Sequence, residues 1–490
     1  MELQFTKKTF DCMHRVLWEG KNQEQTLEIK LSDAMPDVGK VLGAWGQPML
    51  RSKEWRGSSM GVSGGVQVWV LYMPEDGSGV RGVEGWMPFQ MRWDFPQTQR
   101  DGTMRVCCLL QGMDARITSA RKLMVRAVVS AQAEALEPGH KEYAVAENVP
   151  EDVQLLRRRY PLCIPVEAGE KAVQFEEELH LSGAGAGCKL LFCTAQPELV
   201  DKKIMGDKVV FRGSLLLHGL LRCEDGSLKP FDQELPFSQY AELEQEQAEG
   251  ASADVMLTLT DLETELGEGG SLHLKAGLVG QYVLYGLPIL EVVEDAYSLE
   301  RELQLQQQNL ELPAVLEIRQ EKKKAQQPLE LSGQRVVDIA FLAGHPTERS
   351  QDRELSGMFQ VLTEDDTGFL QCHTPRWESV EEELREEAVG FLARGSLSGK
   401  PYWEEHMVKG DLSLDILTVT DTQIPMITGL TLGEKKQPDP SRPSLILCTP
   451  GQESLWELAK RCGSTPEAIR NANGIREEPE SDKMLLIPVL

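Results

Sequence analysis

The residues that could carry out chemistry are a glycine-rich loop, eight histidines and ten cysteines. GAGAG (183–187) could cradle a phosphate, but no Gly-Lys-Ser/Thr follows it. The next residues, CKLLFCT, read as a strand, whereas a phosphate loop needs a helix N-terminus. His218 and His273 stand alone in strand-like stretches, which is more typical of packed or surface side chains than of ligands. Neither HExxH nor GxSxG occurs. We therefore expect no catalytic site and no enzyme activity.

The cysteines are scattered and include no CxxC pair, so the sequence predicts neither a zinc ribbon nor another metal site. Scattered cysteines of this kind are typical of buried thiols in a reducing compartment. We therefore expect a cytoplasmic protein without a cofactor.

The charge of the chain limits its partners. Its formal net charge is −26, which repels phosphate backbones and anionic lipid surfaces, so nucleic acid is not an expected partner. No apolar stretch reaches the roughly 18 residues that span a bilayer, so no membrane span is expected. The N-terminal sequence has no apolar core behind a basic start, and we expect no signal peptide.

The elements that must position any site recur along the chain. Leu31-Ser32, Leu181-Ser182 and Leu331-Ser332 are equally spaced, and each closes an acidic alternating stretch. GGVQVWVLYMPEDG (64–77) resembles GSLLLHGLLRCEDG (213–226), and GMFQVLTEDDTG (357–368) is a weaker third copy. Each unit ends on an alternating strand with a basic residue, which is Arg126, Lys275 or Lys409.

This pattern predicts a mainly β protein of three tandem units. Period-2 alternation, as in LHLKAGLVGQY, is typical of a half-buried antiparallel strand, and Asp-Gly steps mark hairpins. We assign the repeats to 1–145, 150–300 and 312–432. Each should be a sandwich or a related two-layer sheet, and the sequence does not decide between them.

Linkers are predicted where the strand pattern weakens. These stretches are 135–152 between the first two units, 301–328 between the second and third, and the Pro-rich 433–444. The last is charged and semi-extended, so we expect the segment after it to move as its own module.

Residues 445–490 predict a strand, two short helices and a strand. Ser454 and Glu457 form a capping box that starts the first helix, whose apolar side is Leu455, Trp456, Leu458, Ala459 and Cys462. Thr465 and Pro466 start the second helix, Asn473-Gly474 ends it, and LLIPVL (485–490) is the closing strand.

This segment resembles a LysM domain through Gly451, Leu455-Trp456, Leu458-Ala459, Ala472-Asn473 and Leu486-Ile487-Pro488. LysM domains hold N-acetylated glycans in a groove between the loop before the first helix and the loop after the second. The resemblance implies a glycan-binding or partner-binding site at Gly451, Gln452, Glu453, Ser454, Leu455, Asn473, Gly474 and Ile475. The family usually has Gly-Asp-Thr-Leu where this chain has the longer Gly-Gln-Glu-Ser-Leu, which puts the glycan groove in doubt.

The whole chain resembles the SPOCS and LysM proteins of the spore envelope in spore-forming Firmicutes. The resemblance is carried by LSDAMPDVGKVL (31–42), VQVWVLYMPEDG with MPFQ, SARKLMVRAVV (119–129) and LEVVEDAYSLE (290–300). It implies a non-catalytic scaffold in the mother cell, acting at the forespore surface. Its LysM module would dock a coat-basement ATPase-type morphogenetic protein. The alternative is a peptidoglycan-binding protein anchored to cortex or wall through LysM.

Overall fold

A computed structural model gives the fold and describes residues 2–490 except 97, 99, 100, 148, 183, 186, 350, 351, 383–389, 438–440 and 480. The chain is mainly β, as predicted, with 74% of it in strands that form several antiparallel sheets. The described part of the chain contains two α-helices, each eight residues long. Neither is long and apolar enough to cross a membrane.

The first segment of the chain builds two antiparallel sheets. The strands are β1 (Glu2–Gln4), β2 (Thr6–Lys30), β3 (Val38–Arg56), β4 (Ser59–Pro74), β5 (Arg81–Asp94), β6 (Thr103–Ser119) and β7 (Lys122–Val145). One sheet has the order β3-β4-β5 and the other the order β2-β7-β6. β1 is not part of these two sheets and pairs instead with residues 429–431, near the end of the third segment.

The second segment repeats this arrangement. Its strands are β8 (Val153–Pro161), β9 (Ile164–His180), β10 (Lys189–Met205), β11 (Lys208–Arg222), β12 (Leu228–Glu242), β13 (Ser252–Leu266), β14 (Ser271–Gly286) and β15 (Ile289–Ser298). The sheets are β10-β11-β12 and β13-β14-β9, and β8 pairs with β15.

The third segment is longer and less regular. Its strands are β16 (Arg301–Pro328), β17 (Arg335–Ala343), β18 (Thr347–Arg349), β19 (Asp352–Glu364), β20 (Leu370–His373), β21 (Arg376–Glu382), β22 (Gly390–Glu404) and β23 (Met407–Lys435). β19 pairs with β17, β18, β20 and β21, while β23 pairs with β16, β22 and β1. Each of the three segments therefore has one sheet centred on β4, β11 or β19 and another centred on β7, β14 or β23.

Residues 445–490, called the terminal module from here on, follow as β24 (Leu445–Cys448), α1 (Leu455–Cys462), α2 (Pro466–Asn473) and β25 (Leu485–Pro488). β24 pairs antiparallel with β25.

The prediction of a linker is wrong for 301–328 and for the first part of 135–152, because both form strands. Residues 301–328 form β16, which pairs along its whole length with β23. Its Leu310 and Leu312 are buried with Ile424 and Leu430 of β23. Residues 135–145 continue β7, which pairs with β2. Gln-rich and Pro-Gly-containing stretches lack a strong strand signal of their own, so these strands depend on distant partners.

Apolar side chains of the two sheets meet in a shared core in the first segment. Val66, Val68 and Val70 of β4 are buried in one cluster with Val125 and Val129 of β7. Each such side chain contributes about 1.5–3 kcal/mol when it is fully buried. The alternation read from the sequence thus produces two sheets packed face to face.

A buried ion network joins the three segments. The Asp254 carboxylate of β13 accepts two hydrogen bonds from Arg394 of β22, at 2.9 and 3.1 Å, and one from Arg105 of β6 at 2.5 Å. Glu134 lies 2.9 Å from Arg105, and Asp415 lies 2.7 Å from Arg394. Burial by itself raises the pKa of Asp254, but the charges of Arg394 and Arg105 outweigh it and hold that pKa well below its usual value.

His218 makes a second link between segments. Its Nδ1 lies 2.7 Å from Asp232 and its Nε2 lies 2.6 Å from Asp338 of the third segment. Asp338 also accepts a hydrogen bond from the Trp45 indole of the first segment. Burial lowers the pKa of His218, but hydrogen bonds from the imidazolium to both carboxylates outweigh burial and raise it to about 9.

This link predicts a pH dependence of stability. Because the folded-state pKa of about 9 exceeds the ordinary value of 6.5, His218 stabilises the fold fully below pH 6.5. The contribution is lost as pH rises through 9 and amounts to about 3 kcal/mol. Urea unfolding at pH 6 and at pH 9.5 should show this loss in the unaltered chain and much less of it in His218→Asn. A His14→Asn control, at an exposed position, should keep the full pH dependence. Equal pH dependence in His218→Asn and the unaltered chain would contradict the link.

Candidate binding site in the terminal module

Local sequence signals fix both helices of the terminal module. The Ser454 side chain accepts from the Glu457 amide while the Glu457 carboxylate accepts from the Ser454 amide, so the predicted capping box is confirmed. Gly463 and Gly474 end the two helices in the left-handed region, with φ of 67° and 66°. The buried residues of α1 are the five that the sequence predicted: Leu455, Trp456, Leu458, Ala459 and Cys462.

The first of the two loops expected to form a site contacts the chain that follows the second loop. The Gly451 amide donates to the Ser481 carbonyl at 3.0 Å. The Leu455 amide, at the start of α1, donates to the Glu478 carboxylate at 2.8 Å. The chain after α2 thus contacts the chain before α1, and it covers the N-terminus of α1.

Backbone donors in the first loop are largely used within the chain. Besides Gly451 and Leu455, the Glu453 amide donates to the Pro450 carbonyl and the Ser454 amide donates to Glu457 at 2.8 Å. Hydrogen bonds from the Ser454 amide and hydroxyl lower the pKa of Glu457. Groove amides that recognise a glycan must be free to donate, and here four of them already have acceptors.

Three of the predicted site residues make their contacts inside the module. Leu455 is fully buried. The Asn473 amide group donates to the carbonyls of Ile469 and Leu486 and accepts from the Leu486 amide, so it ties α2 to β25. Ile475 packs against the same apolar core. These side chains support the fold and leave no polar group for a ligand.

The exposed part of the predicted site is small. Gly451, Gln452 and Gly474 are exposed, and Glu453 is half-buried because Arg461 holds its carboxylate with two hydrogen bonds of 3.0 and 2.7 Å. The surface that these loops offer is therefore shallow and polar, with one compensated charge pair. It suits contact with another protein surface better than it suits enclosure of a small ligand.

The terminal module is docked on β15, which the sequence did not predict. The Trp456 indole donates to Asp295 at 2.8 Å, and Lys460 forms an ion pair with the same carboxylate at 2.7 Å. The Tyr297 hydroxyl donates to the Ser464 carbonyl at 2.8 Å, and its ring lies edge-on to Trp456 with centroids 4.8 Å apart. The expectation of a freely moving module is wrong for this structure, because its Trp456 face is packed against the second segment.

Sequence reasoning missed Asp295 and Tyr297 as contact residues. Both lie in LEVVEDAYSLE (290–300), one of the stretches that carry the family resemblance. An aromatic residue two positions after an acidic one near a strand end is a weak signal for a docking surface. Only the three-dimensional structure brings it to Trp456.

A separate cavity of about 460 Å³ lies where the three segments meet. Its lining includes His218, Asp232 and Lys400 together with apolar side chains such as Phe341. Asp232 pairs with both His218 and Lys400, so these charges compensate one another, although Asp232 and Lys400 are themselves exposed.

Comparison with known proteins gives one family match. The family model described as SipL, SPOCS domain, matches residues 188–266. The match begins one residue before β10 and ends at the last residue of β13, so it covers the β10-β11-β12 sheet and the first strand of the next sheet. No curated protein and no solved structure matches the chain significantly.

Proposed function

We propose that the chain is a non-catalytic scaffold of spore-envelope assembly. The observation that carries this proposal is the match of residues 188–266 to the SipL SPOCS domain, which supports a sporulation-related role. In this proposal the chain has SPOCS-type repeats at 1–145, 150–300 and 312–432, a linker at 433–444 and a LysM module at 445–490.

The family model matches one stretch of the chain, and the arrangement of the sheets supports two further repeats. The matched residues belong to the second segment, the first segment has the same order of strands in two three-stranded sheets, and the third has two sheets centred on β19 and β23. The Leu-Ser steps at Leu31, Leu181 and Leu331 follow the ends of β2, β9 and β16. Arg105, Asp254 and Arg394 come from β6, β13 and β22, which hold corresponding places in the three segments.

The terminal module binds a protein in this proposal. Its groove amides already have acceptors within the chain, and its Asn473 side chain is used for folding. The exposed Gly451, Gln452 and Gly474 loops are then free for contact with a partner surface. The proposed partner is a coat-basement ATPase-type morphogenetic protein, met at the forespore surface in the mother cell.

Affinity capture from sporulating cells tests this proposal. The full chain should recover a coat-basement protein, and deletion of 445–490 should abolish that recovery. Gln452→Trp should reduce recovery at least tenfold, because an indole at the exposed loop obstructs close contact. Asn22→Trp, the same kind of change at an exposed position of β2, should leave recovery unchanged. Recovery that survives the deletion would contradict the proposal.

Peptidoglycan binding is the second candidate, and the exposure of Gly451 and Gly474 favours it. Sedimentation of the purified chain with peptidoglycan separates the two. The proposed protein contact predicts no sedimentation, whereas sedimentation that Gln452→Trp removes and Asn22→Trp does not would assign the loops to glycan.

A further inference from the structure

A cleft of about 1020 Å³ lies between the terminal module and the strands that precede it. Its walls come from the end of β15, the start of β16, the end of β23, the following linker and α1. Six of its lining residues are basic: Arg301, Lys435, Lys436, Arg442, Lys460 and Arg461. Among the described residues, the acidic ones in the lining are Glu300 and Glu302. Basic residues therefore outnumber acidic ones among the described residues of the lining, in a chain whose net charge is −26.

Four of the basic side chains have carboxylate partners. Lys460 pairs with Asp295 and Arg461 with Glu453, both at 2.7 Å. Arg301 and Lys435 have longer contacts, at 3.5 Å to Asp152 and 3.6 Å to Glu300. Lys435 and Glu300 are both more than half exposed, so water weakens their attraction.

The other two cations are Lys436 and Arg442. Among the described residues, their hydrogen bonds go only to neutral backbone carbonyls. Lys436 donates to the Ser298 carbonyl at 2.8 Å, and Arg442 donates to the Cys462 carbonyl at 3.3 Å. Both residues are exposed. The Ser298 carbonyl at the end of β15 and the Cys462 carbonyl at the end of α1 orient these side chains and leave their positive charges available to an anion.

We propose that this cleft binds an acidic peptide segment of a partner protein. The inference rests on the proposed function and gives the chemistry of the partner that the terminal module meets. A carboxylate-bearing segment lying in the cleft would contact Lys436 and Arg442 at once, and would touch the terminal module and the third segment together. The cleft exists because α1 is docked on β15, so docking and partner binding depend on the same geometry.

The short distance over which charges interact in salt solution favours a short acidic peptide over a long polyanion. At physiological ionic strength charges are screened beyond about 8 Å, so a segment inside the cleft feels the local cations more than the distant carboxylates. A nucleic acid extends well past the cleft and meets the negative surface of the rest of the chain.

Fluorescence anisotropy with a labelled deca-glutamate peptide tests the inference on the full-length chain. At low ionic strength (about 50 mM salt) the peptide should bind, and binding should weaken as salt is added. Lys436→Glu combined with Arg442→Glu should weaken binding at least tenfold, since both cations become repulsive. Lys30→Glu combined with Arg116→Glu makes the same change in net charge at exposed positions of the first segment and should alter binding less than about twofold.

Three results would overturn the inference. These are absence of deca-glutamate binding, equal weakening by the two double variants, and equally tight binding of an oligothymidylate through the same residues. The capture experiment separates this inference from the proposed function. Capture that requires 445–490 but survives the Lys436→Glu, Arg442→Glu double variant overturns the cleft alone. Capture that survives deletion of 445–490 contradicts the proposed function itself.

Discussion

Replacing Asp254 with alanine is expected to destabilise the fold by about 3–5 kcal/mol. The change leaves Arg105 and Arg394 buried without the carboxylate that lies between them. The change is costly because each arginine keeps one carboxylate, Glu134 or Asp415, but loses the one that the two share and cannot reach water to replace it. Chemical denaturation followed by far-UV circular dichroism should show an earlier transition.

Asp261 offers a matched control in the same strand. Its carboxylate pairs with Arg51 at 2.9 Å, but both side chains are well exposed, at 39% and 46%. Asp261→Ala should therefore change stability by no more than about 1 kcal/mol. If the two alanine variants unfolded at the same denaturant concentration, the buried network would not be what holds the three segments together.

Replacing Trp456 with alanine is expected to unfold the terminal module. The indole is 9% exposed, packs against Tyr297 and donates to Asp295. Loss of a buried aromatic ring costs about 3–5 kcal/mol, which a module this small cannot absorb. Limited proteolysis of the full chain, read by mass spectrometry, should reveal new cleavage sites within 445–490.

Trp456→Phe separates ring packing from the hydrogen bond. Phenylalanine keeps an aromatic ring against Tyr297 and removes the N–H donor, while Lys460 still pairs with Asp295. The expected cost is about 1 kcal/mol, so the module should remain folded and protease-resistant. Unchanged resistance in Trp456→Ala would instead show that the indole has no structural role.

The parts of the fold that depend on residues close together in the sequence could be predicted from it. Alternating strands, both helices and their caps follow from local patterns, as at Ser454 and Gly474. The Gln- and Lys-rich sequence of β16 predicts a linker, because this stretch becomes a strand only through its pairing with β23. The sequence shows Arg105 and Asp254 as charged residues within apolar strands. It does not show that they pair, because they lie 149 positions apart.

Much less of the candidate site could be predicted. The sequence located the loops around Gly451 and Gly474, yet it gave no sign that Glu478 covers the start of α1 or that Asn473 is used inside the module. These contacts depend on where the chain after α2 returns. Docking through Asp295 and the basic cleft at Lys436 depend on packing between distant segments, which no local pattern encodes.

The most direct measurement of the central claim is the localisation of a fluorescent fusion in sporulating cells. We predict that the full chain forms a ring at the forespore surface and that the chain lacking 445–490 is dispersed through the mother cell. A diffuse signal from the full chain, or a ring that persists without 445–490, would contradict a scaffold that works through its terminal module.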